Sequence, residues 1–122
     1  MRLWHEKLIP LLPREQLLGQ HRECCALRGK GWDKKHSTVD YVFNYLPYKL
    51  FQYHLLVMEE MKKRNYSPNQ LWFNPNYRGK SISSYKNIIS TEKTIPIYPE
   101  HNNNYLTECI ENLKNKNINI QI

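Results

Sequence analysis

The stretch Tyr48–Arg64, YKLFQYHLLVMEEMKKR, carries the clearest helical pattern in the chain. Its large apolar residues recur at intervals of three or four, which places them on one face of a helix. The members of this face are Phe51, Leu55, Met58 and Met61. A helix with one apolar face buries that face against other elements. We therefore predict that this helix forms the centre of the hydrophobic core.

Three further helices are predicted around this one. The first covers residues 14–28, directly after Pro13, because proline suits the first position of a helix. A short second helix covers residues 39–46 and is interrupted by Pro47. The last helix runs from about residue 100 to residue 116. Residues 1–12, broken by Pro10, are predicted to form an extended arm.

The region between the central helix and the last one has no clear period. Residues 65–98 are rich in Asn, Pro and Ser, and they offer at most a short pair of strands around Ile88 to Ile97. A structureless stretch of this length usually has a functional reason or is mobile. The predicted fold class is therefore mainly α: one compact domain over residues 1–122, with three to four helices and a long irregular loop over residues 67–98.

Composition limits the size and the partners of this domain. The chain has 122 residues, of which 40% are hydrophobic, which is enough for one modest core. Lys and Arg number 18 against 11 acidic residues, giving a net charge of +7. A basic surface attracts phosphate backbones, so a nucleic-acid partner is favoured. No segment is apolar enough to span a bilayer, so we expect a cytoplasmic protein without a membrane partner.

Several common kinds of site have no support in the sequence. It lacks a glycine-rich phosphate loop, a serine nucleophile elbow and the paired-cysteine spacing of zinc sites. The adjacent Cys24 and Cys25, with Cys109, do not suggest a disulfide framework. Imidazole and thiolate groups of His5, His21, Cys24 and Cys25 could bind zinc. Because three of these four lie on the apolar stripe of the first helix, core packing is the favoured interpretation, and no metal is predicted.

Glu23 does not belong to the apolar stripe of the first helix. The stripe repeats at helical spacing and should face the core. Its members are Leu17, Leu18, His21, Cys24, Cys25 and Arg28. Glu23 is expected on the opposite side, with Gly19 one turn before it and Ala26 one turn after it. Because both neighbours are small, another stretch of backbone can approach this carboxylate closely.

The segment Gln16–Glu23, QLLGQHRE, resembles the first helix of the pyrimidine-dimer DNA glycosylases of the endonuclease V type. In that family the catalytic glutamate follows an arginine in this helix. The resemblance continues loosely, in the same order along the chain, through Tyr48–Leu50, Met61–Tyr66 and Asn76–Gly79. The Arg-Glu pair near the end of an N-terminal helix is its most specific element.

The resemblance implies a mechanism and assigns two catalytic residues. In that family the α-amino group attacks C1′ of the damaged nucleotide, a Schiff base forms, and the glutamate assists base release and strand scission. Carried over, this implies Met1 and Glu23 as catalytic residues, with no cofactor. An α-amine has a reference pKa of roughly 7.7–8.0 against roughly 10.4 for lysine, so more of it is free near neutrality. Arg2 can lower that pKa further and can also bind a phosphate.

The chain departs from the family pattern at its second residue. Those enzymes typically expose a threonine after the initiator methionine is removed. Residue 2 here is arginine, and aminopeptidase trimming needs a small residue at that position. We therefore expect Met1 to be retained, so that its own amine replaces the threonine amine.

Basic residues beside the motif and in the loops are candidates for DNA contact. Arg22 is a candidate for phosphate binding near the lesion, with a surface ion pair as the alternative. A segment around Trp32 mixes cations with an aromatic ring, which suits DNA, although a merely solvated basic loop would look the same. The loop candidates are Lys30, Lys34, Lys35, His36, Arg78 and Lys80.

The function favoured by the sequence is excision of a damaged base, with pyrimidine dimers as the expected lesion, followed by cleavage at the abasic site. The expected partner is double-stranded DNA with a damaged base or an abasic site, bound by a monomer. Two alternatives stay open. One is a nucleic-acid-binding protein on the same scaffold without catalysis, and the other is a related enzyme acting on RNA or another modified base.

Overall fold

The computed structural model describes residues 2–34 and 38–122, and the regular elements within these residues are all helical. The three α-helices are α1 (Arg14–Arg28), α2 (Pro47–Lys63) and α3 (Asn103–Lys114). Three 3₁₀ helices cover Glu6–Leu11, Asp40–Asn44 and Gln70–Phe73. The predicted all-α class is confirmed.

Helix α2 packs against α1 and supplies the middle of the core, as its pattern predicts. Pro47 starts it, since a missing N–H costs nothing in the first turn. The buried face is wider than predicted, and Leu55 lies at its edge, half-buried. The buried residues of α2 are Leu50, Phe51, Gln52, Tyr53, His54, Val57, Met58 and Met61. Tyr53 and His54, which the apolar pattern does not select, are both fully buried.

Two predicted elements are wrong in detail. The extended arm predicted for residues 1–12 is wrong for its described part, because Glu6–Leu11 forms a 3₁₀ helix whose first turn is capped by the His5 imidazole, which accepts the Lys7 N–H. The predicted second helix is reduced to the 3₁₀ helix Asp40–Asn44. Pro47 holds the preceding Leu46 in an extended conformation, so a helix has little room before it.

The predicted strand pair around Ile88 to Ile97 is also wrong, since the described residues contain no strand. Between α2 and α3 the chain is irregular apart from the short 3₁₀ helix, as predicted. Cys109 and Leu113 of α3 are buried in the same cluster as the cores of α1 and α2. Among the described residues, no helix combines the length and apolar character needed to cross a membrane.

Arg28, at the end of α1, holds the irregular region in place. Its guanidinium is almost fully buried and donates to the carbonyls of Trp72, Asn74 and Tyr77 at 2.9 to 3.1 Å. It also lies between two rings, 5.2 Å from the centroid of Phe51 and 5.0 Å from that of Trp72. Burial lowers the pKa of Arg28 to about 10, so it remains charged at neutral pH.

We expect Arg28→Lys to lower the free energy of unfolding by about 2–4 kcal/mol, because a compact ammonium cannot reach carbonyls that a planar fork spans and leaves them unsatisfied. Urea unfolding measures this change. Arg14→Lys is the matched control, since Arg14 is exposed and pairs with neighbouring Glu15, and its change should stay within about 0.5 kcal/mol. Equal losses in the two variants would contradict the anchoring role.

Candidate active site

Glu23 lies on α1 beneath the N-terminal segment. Its carboxylate is half-buried rather than fully exposed, because Arg2 and its neighbours cover this side of the helix. The backbone N–H of Arg2 faces the carboxylate and lowers its pKa. The expectation that backbone approaches Glu23 closely is thus confirmed for the described part of the segment.

Gln20, one turn before Glu23, joins the N-terminal segment to the Glu23 carboxylate. Its Nε2 donates to the Arg2 carbonyl and to Glu23 Oε2, both at 3.0 Å. Its Oε1 accepts the Trp4 N–H at 2.7 Å and lies 2.9 Å from the Tyr53 hydroxyl. The side chain is 1% exposed. The sequence places Gln20 in the segment that resembles the family but predicts no role for it, since a glutamine in a helix carries no apolar signal.

The pKa of Glu23 is raised above its usual value. Desolvation by burial is the largest cause, and it outweighs the hydrogen bonds from Arg2 and Gln20 and the charge of Arg22, which act in the opposite direction. A carboxyl group with a raised pKa holds its proton closer to neutrality, which suits a group that must both donate and accept a proton.

A cleft of about 290 Å³ opens beside this carboxylate. Its lining combines the N-terminal segment, α1 and the end of the chain's last helical region. The lining residues are Arg2, Trp4, Glu23, Thr38, Asn112 and Lys116. The sequence prediction brought Arg2 and Glu23 together, but it missed Asn112 and Lys116, because contacts this distant in sequence leave no local pattern.

Arg2 is already engaged within the protein. Its guanidinium forms a 2.7 Å ion pair with Glu108 and lies 5.6 Å from the Tyr105 ring centroid. These contacts orient Arg2 along the wall of the cleft. Met1, Lys35 and His36, which the sequence also singles out, lie outside the described residues.

Three of the predicted DNA contacts gather at a second cleft. Lys30, Arg78 and Lys80 line a space of about 310 Å³ beyond the end of α1. Arg78 is partly committed to structure, because it donates to the carbonyls of Arg28 and Gly29 at 3.0 and 3.3 Å. Lys30 and Lys80 are exposed.

The two remaining candidates line neither cleft. Arg22 is exposed on α1 next to Glu23, and Lys34 is exposed in the turn that follows α1. Arg22 is therefore placed to act on a ligand of Glu23 from outside the cleft, whereas Lys34 extends the basic surface near Lys30.

His21, Cys25 and His54 form a cluster between α1 and α2. Their ligand atoms lie within 4.8 Å of one another, so by distance they could hold a metal ion. Of the residues weighed from the sequence, His5 and Cys24 lie outside this cluster, and His54 of α2 completes it.

The hydrogen bonds of the cluster argue against a resident metal. A guanidinium can only donate, so Arg28 Nη1, 2.9 Å from His54 Nδ1, requires that nitrogen to accept. The His54 proton then sits on Nε2 and points at His21 Nδ1, 2.8 Å away. A metal on Nε2 would move that proton to face the guanidinium, whereas metal-bound histidines normally donate it to an acceptor.

Comparison with known proteins decides the family. The profile of a family described as pyrimidine dimer DNA glycosylase matches residues 1–74. The chain belongs to this family. No curated protein and no solved structure gives a significant match. The matched residues include Arg2, Gln20 and Glu23, and membership in this glycosylase family supports a role in DNA repair with DNA as the substrate.

The buried histidines should make the stability of this glycosylase fall in mild acid. Burial holds the pKa of His54 well below its usual value, and the charges of Arg28 and His21 lower it further. Unfolded histidine takes a proton near pH 6.5, so the contribution of neutral His54 is complete above about pH 6.5 and is lost as the pH falls. The slope is about 1.4 kcal/mol per pH unit for each such histidine.

Urea unfolding between pH 7 and pH 5 tests this expectation. In His54→Gln, whose amide oxygen can still accept from Arg28, we expect the slope to be smaller by the contribution of one proton. Identical slopes of unfolding free energy against pH in the two proteins would show that His54 takes up its proton as readily in the folded state as in the unfolded chain, which would contradict the expectation.

Proposed function

We propose that this single domain, residues 1–122, is a DNA glycosylase with abasic-site lyase activity that excises a pyrimidine-dimer base. The nucleophile is the α-amine of Met1, and Glu23 is the catalytic carboxylate. Double-stranded DNA carrying the lesion or an abasic site is the substrate, and the enzyme acts as a monomer without a cofactor.

One observation carries the proposal: the Gln20 amide nitrogen donates to both the Arg2 carbonyl and Glu23 Oε2, each at 3.0 Å, so the backbone of the residue that follows Met1 lies beside the carboxylate. In a protein whose chain starts at Met1, the α-amine is only one residue from this contact. Nucleophile and proton-transfer group must lie together for amine catalysis, and this pairing holds Arg2, the neighbour of Met1, against the one carboxylate that lines the cleft within the described residues.

The reaction proceeds in two stages. The amine nitrogen attacks C1′, the N–C1′ bond forms, and the glycosidic bond breaks, with its electron pair and a proton leaving with the base. The nitrogen then loses a proton, the C1′–O4′ bond opens onto O4′, which is protonated, and a Schiff base results. Glu23 takes a proton from C2′, the C3′–O bond breaks with loss of the phosphate, and water hydrolyses the imine.

The raised pKa of Glu23 fits both of its roles in this reaction. Protonated Glu23 can supply a proton during base release, and ionised Glu23 can remove the C2′ proton. Reaching C1′ requires the DNA to be distorted, as enzymes that act on stacked bases generally require. Lys30 and Lys80 supply phosphate contacts on one side of the carboxylate, and Arg22 supplies one beside it.

Borohydride trapping on duplex DNA with an abasic site tests the amine chemistry. We expect a covalent adduct on the nitrogen of Met1 and no adduct when the N-terminus is extended or acetylated. Glu23→Gln should slow strand scission by about 100-fold or more, because it removes the proton acceptor. Mass spectrometry of the trapped peptide identifies the linked residue.

Lys116 is the decisive control, because it is the lysine that lines the same cleft within the described part of the chain. Lys116→Arg keeps the charge but removes the primary amine, and trapping should persist. An adduct on Lys116 would overturn the assignment of Met1. DNA binding without any adduct would instead indicate a binding protein, and trapping only on RNA would indicate the other alternative.

Phosphate contacts are tested separately by salt dependence. We expect Lys30→Gln and Lys80→Gln each to reduce the slope of log K against log salt by about 0.9, the value for one lost phosphate contact. Fluorescence anisotropy with labelled duplex DNA provides the slope. Lys63→Gln is the control, because Lys63 lies beside Glu59 and Glu60. An equal change of the slope in all three variants would show that the cleft lined by Lys30 and Lys80 makes no specific contribution to DNA binding.

A further inference from the structure

We propose that Gln20 is a positioning residue that sets the distance between the start of the chain and the Glu23 carboxylate. This inference rests on the proposed function and adds a residue to its machinery. Gln20 touches neither cleft, so it acts through the groups that it holds.

The orientation of the Gln20 amide is fixed by its partners. The Trp4 N–H can only donate, so the amide atom 2.7 Å from it must be the oxygen. The amide nitrogen then faces the Arg2 carbonyl and the Glu23 carboxylate, both of which accept. A flipped amide would lose all three bonds, and the assignment is therefore unambiguous.

Both protons of the amide nitrogen are used, one on each side of the reacting centre. One holds the backbone at Arg2, and the other holds Glu23 Oε2, each at 3.0 Å. A single planar group thus ties the two catalytic elements to each other. The Tyr53 hydroxyl of the core helix α2 lies against the oxygen side, where its single proton is directed to the Trp4 carbonyl or to Gln20 Oε1.

Burial makes this arrangement stiff. Gln20 is 1% exposed and Tyr53 is fully buried, so water cannot replace the hydrogen bonds that a substitution removes. The same burial raises the pKa of Glu23, and the Gln20 amide opposes that rise by stabilising the ionised form. Loss of Gln20 should therefore misplace the carboxylate and also change its titration.

The experiment compares Gln20→Met with Gln52→Met. Gln52 is a matched control, because it is also a buried glutamine, but it donates to the Thr91 carbonyl rather than to the N-terminal segment. For Gln20→Met we expect the single-turnover scission rate on abasic-site DNA to fall on the order of 10- to 100-fold, with Kd for DNA unchanged. Gln52→Met should keep the wild-type rate.

The pH profile separates positioning from general destabilisation. In Gln20→Met the limb of the pH–rate profile that reports the ionisation of Glu23 should move to higher pH, because the ionised carboxylate has lost a hydrogen-bond donor. In Gln52→Met this limb should not move. Gln20→Glu is the second variant, in case Gln20→Met does not fold: it keeps the side-chain length, removes both donors and should move the limb further upward.

The possible failures are distinguishable. If either folded Gln20 variant keeps the wild-type rate and pH limb while Glu23→Gln is inactive, Gln20 has no positioning role and the proposed function stands. If Glu23→Gln retains full activity, the proposed function itself is wrong. If Gln52→Met loses rate and shifts the limb as Gln20→Met does, the effect is one of folding, and the inference is overturned.

Discussion

The hydrogen bonds of the buried Gln20 amide constrain more of this molecule than any other described side-chain contact near the active site. They fasten the N-terminal segment, which is irregular over residues 2–5, to the middle of α1. Without them, Trp4 and Arg2 would have to satisfy buried backbone groups elsewhere. The cleft beside Glu23 exists because this segment is held along the helix, and the position of Arg2 follows from it.

Helix α1 carries a second anchor at its other end. Arg28 holds the carbonyls of the irregular region after α2, while Gln20 holds the N-terminal segment. Both anchors are polar groups buried against α2, which contributes Tyr53 to one and His54 to the other. One helix therefore positions the carboxylate and the basic cleft beyond its C-terminal end, and Glu23 lies roughly 7.5 Å along the axis from Arg28, its last residue.

The sequence predicts the buried apolar residues of this fold better than its buried polar residues. Helical periodicity located α1, α2 and α3, because burial imposes a repeat on side chains that share a face. It did not select Gln20, Arg28 as an anchor, or His54, since a buried polar group is chosen by a partner distant in the chain. Two of the three short 3₁₀ helices, Glu6–Leu11 and Gln70–Phe73, were missed for a related reason, because such short turns carry too few residues to show a period.

The residues of the candidate site also divide into those that the sequence predicts and those that it does not. Glu23 and Arg2 were predictable, because a resemblance to a known family marked the helix around the glutamate and the chain start. Lys116 and Asn112 were not, since only the folded chain brings α3 and the residues after it to the cleft. Arg78 shows the converse case, where a basic residue predicted to contact DNA spends two of its hydrogen bonds on the end of α1.

We propose that the chain start and Glu23 act on one sugar and are held together by Gln20. A crystal structure of the borohydride-reduced complex with abasic-site DNA tests it most directly. We expect a bond from the residue 1 nitrogen to C1′, with the Glu23 carboxylate beside C2′ and the Gln20 amide still bridging Arg2 and Glu23. A bond from Lys116 Nζ to C1′, or a sugar bound away from Glu23, would contradict it.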